Sequence, residues 1–322
     1  MLCSDSVKLC ASILFLCGLF CFITTAASAD MQLRGMKVAV TVDDVPAHGD
    51  LLPGTTRLQT NKSILNTLKA NGLTKVYGFA NGKDAVVSAD AMQSLNAWLL
   101  AKYPLGNHTF SHSDLDQTGT IKYLSDIQRM QHLLSELAPE PPNRSDFTFF
   151  RYPYLHEGAT LEQRHTVRKF LFDNRYRIAE VTVDWDDWAW NDAYTRCARR
   201  HDDKSITWLK REVIITAENQ LRNSKRAARQ LFNRDIAQIL LLHDSMFTAA
   251  ILDSLLRDLR HKGVAFISLD YASKDPVYDI DPGVTPSDGG TFLSRIALAR
   301  HVDIGYVVDT SHMPSSLNAV CK

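Results

Sequence analysis

Short, nearly continuous apolar runs alternate with longer amphipathic segments along most of this chain. The first run, residues 38–42, is rich in β-branched residues, which favours a buried strand. Similar runs predict strands at residues 75–80, around 105, and at 147–150, 178–183, 236–242 and 264–268. Apolar residues at helical spacing predict helices over residues 60–70, 88–99, 121–137, 160–172, 205–234 and 248–260. Apolar strands that alternate with helices are typical of a parallel sheet covered on both faces, so the fold class is α/β.

The N-terminal segment has the pattern of a secretory signal. An apolar run from Ala11 to Ala26 follows Lys8, and Ala27-Ser28-Ala29 has the small residues of a signal-peptidase site. We therefore expect residues 1–29 to be a signal peptide and the mature protein to be exported, to the periplasm or out of the cell, without stable membrane association. An uncleaved signal anchor is the alternative, because the run approaches the length that spans a membrane.

The net charge limits the classes of binding partner, and the cysteine count limits the possible disulfides. Lys+Arg and Asp+Glu both number 36, so the formal net charge is zero and no net field attracts nucleic acid or other polyanions. Removal of the signal would leave Cys197 and Cys321. Such a pair in an exported protein can form a disulfide, but the sequence does not indicate proximity, and both outcomes stay open.

Titratable residues follow five of the predicted strands where each strand ends. These clusters are Asp43-Asp44, the segment His108 to His112, Arg151, the segment Asp184 to Trp188, and His243-Asp244. In a closed or nearly closed α/β barrel the carboxyl ends of the strands lie on one rim, so residues far apart in sequence become neighbours there. The sequence therefore predicts a functional site at that rim.

Asp44, His108 and His112 are the candidate metal ligands at the rim. A spacing of four places both imidazoles on one side of a helical turn. Two nitrogens and one carboxylate oxygen suit Zn²⁺, or another divalent transition metal, and leave a coordination position open. Capping or surface histidines are the competing interpretation. A bound divalent metal would activate water and polarise a carbonyl, which is the chemistry of hydrolysis.

Two further rim residues suit proton transfer. Asp43, the other carboxylate of the pair, fits a general base, although an Asp pair that closes a strand commonly serves only a turn or a helix cap. His243 could protonate the leaving atom, and a nearby carboxylate would keep this imidazole charged until then.

Aromatic residues accompany these charged groups, and aromatic faces pack well on the apolar faces of sugar rings. They are Tyr152, Tyr154, Trp185, Trp188 and Trp190. Core packing is the competing interpretation of each. Trp188, directly beside Asp187, is the preferred candidate for a carbohydrate groove.

Together these motifs resemble the polysaccharide deacetylase family, also called carbohydrate esterase family four or the NodB homology domain. The family's Thr-Phe-Asp-Asp motif is similar to Thr41-Val42-Asp43-Asp44, and its His-Ser/Thr-x-x-His motif matches His108 to His112. Its other motifs are Arg-x-Pro-Tyr, Asp-x-x-Asp-Trp and Leu-x-x-His-Asp, which match Arg151 to Tyr154, Asp184 to Trp188 and Leu240 to Asp244. All five occur in the family order.

The resemblance implies a distorted (β/α) barrel with about seven parallel strands. It also implies a zinc-type metal on Asp44, His108 and His112, with Asp43 as the base and His243 as the acid. We place the catalytic domain at residues 30–274. The tail over residues 275–322 is richer in Pro, Gly, Ser and Asp and is interpreted as a C-terminal appendage.

Further roles are implied only by the resemblance. Arg151 would orient the base, Asp187 would support the acid, and the backbone N–H of Tyr154 would help to hold the oxyanion. One departure lies beside the metal: Gly usually follows the Asp pair in the family, whereas Val45 stands here, which leaves His48 as a candidate without an assigned role.

The expected activity is removal of acetyl groups from N-acetylated sugars in a polysaccharide or oligosaccharide by a metal-dependent hydrolase. A first alternative keeps the fold and metal but cleaves an O-acetyl ester or a non-sugar amide. A second is a glycosidase that uses carboxylates such as Asp43 and Asp187 without a metal. A third is a carbohydrate-binding protein with a silent site. The sequence does not indicate the oligomeric state.

Overall fold

The computed structural model describes residues 33–138, 149–305 and 316–322. The predicted signal peptide, residues 1–29, lies outside these ranges. The strands are β1 (Lys37–Val45), β2 (Tyr77–Ala80), β3 (Leu105–Asn107), β4 (Phe149–Phe150), β5 (Arg177–Ile178), β6 (Gln238–His243) and β7 (Ala265–Ile267). The helices are α1 (Arg57–Ala70), α2 (Ala89–Leu100), α3 (Thr120–Leu137), α4 (Leu161–Asp173), α5 (Asp187–Arg199), α6 (Asp203–Phe232), α7 (Met246–His261), α8 (Leu269–Ala272) and α9 (Phe292–Ala299).

The strands form one seven-stranded sheet in the order β5-β4-β3-β2-β1-β6, with β7 paired to β1. Every strand pair is parallel. Val38 and Ala39 pair with β6 and with β7 at once, so β7 must lie on the edge of β1 that β2 occupies further along. The predicted α/β fold with about seven parallel strands is confirmed.

The segment after β5 closes the sheet into a distorted barrel. Ala179 donates its N–H to the Phe150 carbonyl on one side, and Val183 pairs with Leu240 of β6 on the other. The predicted strand 178–183 is therefore divided between two neighbours, because this segment crosses from β4 to β6.

Alternation along β1 determines which side chains enter the barrel. Val38, Val40 and Val42 pack in the apolar layer beneath the helices, whereas Ala39 packs inside with Tyr77 and other barrel residues. Successive strand residues face opposite sides, so Asp43 projects to the same interior as Ala39 at the carboxyl end. The apolar pattern of the first strand thus carries one carboxylate to the rim.

The predicted helices form with bounds close to those expected, since their caps are encoded locally. Thr56 and Gln59 form a capping box, and the side chains of Ser88 and Thr160 accept the N–H groups of residues three positions on. The basic segment 205–234 is the amphipathic helix α6, with Leu209, Val213 and Leu221 among its buried residues. Helices α5, α8 and α9 were not predicted. Among the described helices, none is long and apolar enough to cross a membrane.

The tail after residue 274 packs against the barrel. Phe292 and Ile296 of α9 join Ala228 of α6 in one buried cluster, and Arg295 forms buried ion pairs with Glu157 and Glu180. The domain boundary at 274/275 stays a prediction, but this part of the predicted appendage packs against α6 and the segment that closes the barrel. Cys197 and Cys321, left open by the sequence, form a disulfide with an S–S distance of 2.08 Å.

Candidate active site

A cavity of about 510 Å³ opens at the carboxyl rim of the barrel. Four of the five sequence clusters line it directly: Asp43 and Asp44, His108 and His112, Asp184 with Asp186 and Trp188, and His243. The Arg151 motif contributes Tyr152 and Tyr154 to the wall. Residues 288, 290 and 291 of the tail also line it. The strand exits therefore meet in one place, as barrel geometry requires.

Asp44, His108 and His112 converge, with one ligand atom of each within 4.8 Å of the others. Asp44 Oδ1 lies 3.5 Å from His108 Nε2 and 3.1 Å from His112 Nε2. This oxygen is buried and has no hydrogen-bond partner among the described residues. His108 Nδ1 lies 2.8 Å from the Arg151 carbonyl, which only accepts, so Nδ1 carries the proton and Nε2 the lone pair. An orphaned carboxylate oxygen facing imidazole nitrogens fits a divalent cation.

The charge around Asp44 is consistent with that fit. Burial acts to raise the pKa of Asp44, but the imidazoles of His112, His108 and His48 hold it well below its ordinary value. The carboxylate is therefore ionised at neutral pH and acts only as an acceptor or a ligand.

The two histidines predicted as metal ligands are not on a helical turn, contrary to the prediction from their spacing. β3 ends at Asn107, and residues 108–113 form a loop with positive φ at Thr109 (61°) and His112 (53°). The side chain of Asp126 on α3 accepts the Ser111 N–H at 2.9 Å. The imidazoles meet because this loop is folded and held by α3, which the spacing alone does not reveal.

Arg151 fixes the other carboxylate of the pair. Its Nη1 donates to Asp43 Oδ1 at 3.0 Å and to Oδ2 at 3.1 Å. Its Nε donates to the Ala179 carbonyl at 2.6 Å, and Nη2 donates to Thr41 Oγ1 at 3.2 Å. Asp43 and Arg151 are both buried. The adjacent carboxylates thus have different hydrogen-bond partners, Arg151 for Asp43 and His48 for Asp44. Asp44 also has a positive φ of 61°, so its backbone departs from the extended conformation of the strand.

His243 is held by Asp187, the first residue of α5. His243 Nδ1 lies 2.6 Å from Asp187 Oδ1, and the His243 N–H donates to Oδ2 at 2.8 Å. Thr248 Oγ1 donates to the same Oδ2 at 3.1 Å. Burial acts to lower the pKa of His243, but the Asp187 charge and hydrogen bond, with the more distant Asp44 and Asp43, raise it to about 10. His243 is therefore an imidazolium at neutral pH.

Exposure separates the aromatic candidates. Tyr154 is 56% exposed and Trp188 is 37% exposed, and both line the cavity. Trp185 and Trp190 are buried in the core, so the core-packing interpretation applies to them, whereas Tyr152 is buried in a core cluster and also lines the cavity. Asp186 Oδ1 accepts the Trp188 indole N–H at 3.2 Å, which fixes the ring at the cavity mouth.

The structure adds pocket residues that the sequence leaves without a role. His48 lies against Asp44, and Asp288 and Thr291 come from the predicted appendage. No motif marks the tail residues, since their place depends on how α9 packs. A second group of possible ligands consists of Asp114, Asp116 and His156, of which His156 lines the same cavity and has its Nδ1 2.8 Å from Asp114 Oδ1.

The tail also presses on the loop that carries Tyr154. Tyr154 and Leu155 both have positive φ, 58° and 57°, a conformation that costs free energy in residues other than Gly unless the surroundings impose it. A Cβ on Gly289 would lie 2.5 Å from the Tyr154 carbonyl oxygen and 3.0 Å from the Leu155 carbonyl carbon. Gly289 therefore permits a close approach that holds this loop against the cavity.

We expect Gly289→Ala to lower kcat/KM by about 10- to 100-fold, because displacing the Tyr154 backbone by a fraction of an ångström disturbs the alignment of the site. Gly283→Ala is the matched control. Gly283 has a φ of +66°, close to the +68° of Gly289, but its Cβ would meet nothing within 4 Å. Both substitutions place Ala at a positive φ, so both variants should show a similar decrease in unfolding temperature. Equal kcat/KM values in the two variants would contradict the expectation.

The sequence comparison agrees with the motifs. Residues 31–170 match the family model described as Polysaccharide deacetylase. Over these residues the chain is similar to the polysaccharide deacetylase family. The match contains the first three motifs, and the segments around Trp188 and His243 follow it in the family order.

Individual relatives are distant. A peptidoglycan-N-acetylglucosamine deacetylase of Bacillus cereus is 26% identical over 152 residues, which are 47% of this chain and 46% of that protein, so the match spans about half the length of the relative. The peptidoglycan deacetylase PdaC of Bacillus subtilis is 20% identical, with 74% of this chain and 92% of that chain covered and a TM-score of 0.46. A CE4 family pseudoenzyme of Bacillus anthracis is 16% identical, with 74% of this chain and 65% of that chain covered and a TM-score of 0.48.

Proposed function

We propose that this protein is a metal-dependent hydrolase of the polysaccharide deacetylase family that removes acetyl groups from N-acetylated sugars of a polysaccharide or oligosaccharide. The observation that carries the proposal is the convergence, around one cavity, of three kinds of group. These are a metal-type donor set, a buried carboxylate fixed by Arg151, and an imidazolium fixed by Asp187. Amide hydrolysis needs an electrophile, a base and an acid at one place.

Asp44, His108 and His112 would hold the cation, with Zn²⁺ or another divalent transition metal as the cofactor. Such a cation supplies Lewis-acid polarisation of the acetyl carbonyl and lowers the pKa of water. The contact of His108 Nδ1 with the Arg151 carbonyl leaves Nε2 available for coordination.

Asp43 is the proposed general base. Arg151 donates to both of its oxygens, so the carboxylate stays in one orientation while it takes the proton of the attacking water. The backbone N–H of Tyr154 is the proposed donor to the oxyanion, in a loop whose left-handed φ values and contact with Gly289 set its direction.

His243 is the proposed general acid. Its Nδ1–H donates to Asp187. Nε2 is therefore the nitrogen that gives a proton to the departing amine nitrogen as the C–N bond breaks. With a pKa of about 10, His243 holds this proton at neutral pH. Loss of the proton leaves a neutral imidazole that the hydrogen bond to Asp187 still orients.

Trp188 and Tyr154 would form the sugar-binding surface, because their exposed rings flank the cavity mouth. An acetylated carbohydrate outside the cytoplasm is the substrate class that fits both this surface and the N-terminal signal pattern, with the mature protein periplasmic or secreted.

The test is acetate release from N-acetylglucosamine oligomers and from an O-acetylated xylan, measured with the purified protein before and after chelation and after Zn²⁺ is added back. We expect release from the N-acetylated substrate, at least tenfold lower in chelator and restored by metal. Undiminished turnover in chelator would contradict metal dependence, and faster release from the xylan would assign the site to esters. New reducing ends without acetate would indicate a glycosidase.

A further inference from the structure

His48 and His156 are the histidines of the cavity wall that the proposed reaction leaves without a role, and of these two His48 contacts Asp44. His48 stands four residues after Asp44, at the place where the sequence departs from the family pattern, and its side chain is 28% exposed at the cavity wall. Its ring centroid lies 5.1 Å from that of His243 and 6.4 Å from that of Trp188.

The side chain of His48 contacts the Asp44 carboxylate on the side away from His108 and His112. His48 Nδ1 lies 2.7 Å from Asp44 Oδ2, whereas Oδ1 of the same carboxylate faces His108 and His112. Because an ionised carboxylate only accepts, His48 Nδ1 must carry the proton and donate it. His48 is not among the residues whose ligand atoms converge within 4.8 Å, so the described geometry makes it a neighbour of the ligand set rather than a member.

The backbone around His48 is anchored independently of this contact. The His48 N–H donates to the Asp244 carbonyl at 2.6 Å, just beyond the end of β6. Gly49 approaches α5 so closely that a Cβ there would lie 2.6 Å from Asn191 Nδ2. These two contacts fix the backbone of residues 48 and 49. The position of the His48 imidazole therefore does not depend only on its hydrogen bond to Asp44.

Asp44 needs such an external constraint. Its φ of 61° takes it out of the strand conformation, and Oδ1 has no hydrogen-bond partner among the described residues. With Oδ2 engaged by His48, the carboxylate plane is fixed and the unpartnered oxygen is the one directed at the two imidazoles.

We propose that His48 is a positioning residue for the metal site, and that its Nδ1–H bond to Asp44 Oδ2 presents Oδ1 for coordination. This inference rests on the proposed metal site. Partners that orient metal ligands in this way typically contribute 10- to 100-fold to metal affinity.

The test is calorimetric titration of the metal-free proteins with Zn²⁺, comparing wild type with His48→Ala, His48→Gln and His48→Asn. The amide nitrogen of Asn can occupy the place of Nδ1, whereas that of Gln corresponds to Nε2. We expect His48→Ala and His48→Gln to bind Zn²⁺ about 10- to 100-fold more weakly and His48→Asn to bind within a few-fold of wild type. His132→Ala, an exposed histidine on α3 paired with Glu136, is the control for loss of an imidazole elsewhere.

Unfolding temperatures of the metal-free variants should agree with wild type, since the His48 side chain is partly exposed. Zn²⁺ binding by His48→Ala as tight as that of wild type would overturn the inference and leave the metal site standing. A loss in His48→Asn as large as in His48→Ala would also overturn it, because the imidazole itself and not its donor would then be required. Absence of Zn²⁺ binding by wild type would overturn the proposed function as well.

Discussion

Asp43→Asn is expected to lower kcat/KM on an N-acetylated substrate by about 10²- to 10⁴-fold while leaving Zn²⁺ binding near the wild-type level. The amide cannot accept the proton of water, so the general base is lost. The proposed ligand set of Asp44, His108 and His112 is unchanged, and Arg151 can still donate to the Asn oxygen, so the local packing is retained.

Acetate release and Zn²⁺ titration together test this expectation. Asp173→Asn, an exposed residue on α4 that pairs with Lys169, makes the same chemical change away from the cavity and should leave both measurements unaltered. Asp44→Asn should instead lose the affinity for Zn²⁺ and, with the metal, the acetate release. If Asp43→Asn kept turnover within tenfold of wild type, Asp43 would not be the base. If it lost Zn²⁺ binding instead, Asp43 would be a ligand.

Asp187→Asn is expected to move the alkaline limit of activity to lower pH. In wild type, activity that needs the imidazolium is present below the pKa of His243, about 10, and is lost as pH rises through it. Without the Asp187 charge this pKa falls to near the ordinary 6.5, because burial lowers it and only the smaller contributions of Asp44 and Asp43 still raise it. At pH 8 only about 3% of His243 would be protonated, so kcat should fall roughly 30-fold and recover as pH is lowered toward 6.

The pH profiles of kcat for wild type, Asp187→Asn and His243→Gln check this. His243→Gln should be slow at every pH, because it has no proton to give, whereas the defect of Asp187→Asn should shrink as the pH decreases. Parallel profiles of wild type and Asp187→Asn, differing by a constant factor, would show that Asp187 affects the position of His243 and not its protonation.

The structure brings His108 and His112 together by a different backbone path from the one that their spacing predicts. The spacing of His108 and His112 predicts a helical turn, yet the two imidazoles meet through a loop with two left-handed residues. Sequence spacing specifies which residues are close along the chain. It does not specify the backbone path, because that path depends on the contact of Ser111 with Asp126 on a later helix.

The sequence by itself determined the alternation of strands and helices, the position of charged residues at the strand exits, and their grouping into family motifs. Apolar periodicity and capping residues act over a few positions, so they can be recognised locally. Only the tertiary structure decided that Cys197 meets Cys321, that His48 contacts Asp44, and that the tail presses Gly289 onto the Tyr154 loop. Each of these contacts joins loops or a tail whose placement depends on the packing of the whole barrel, for which the local sequence has no periodic signal.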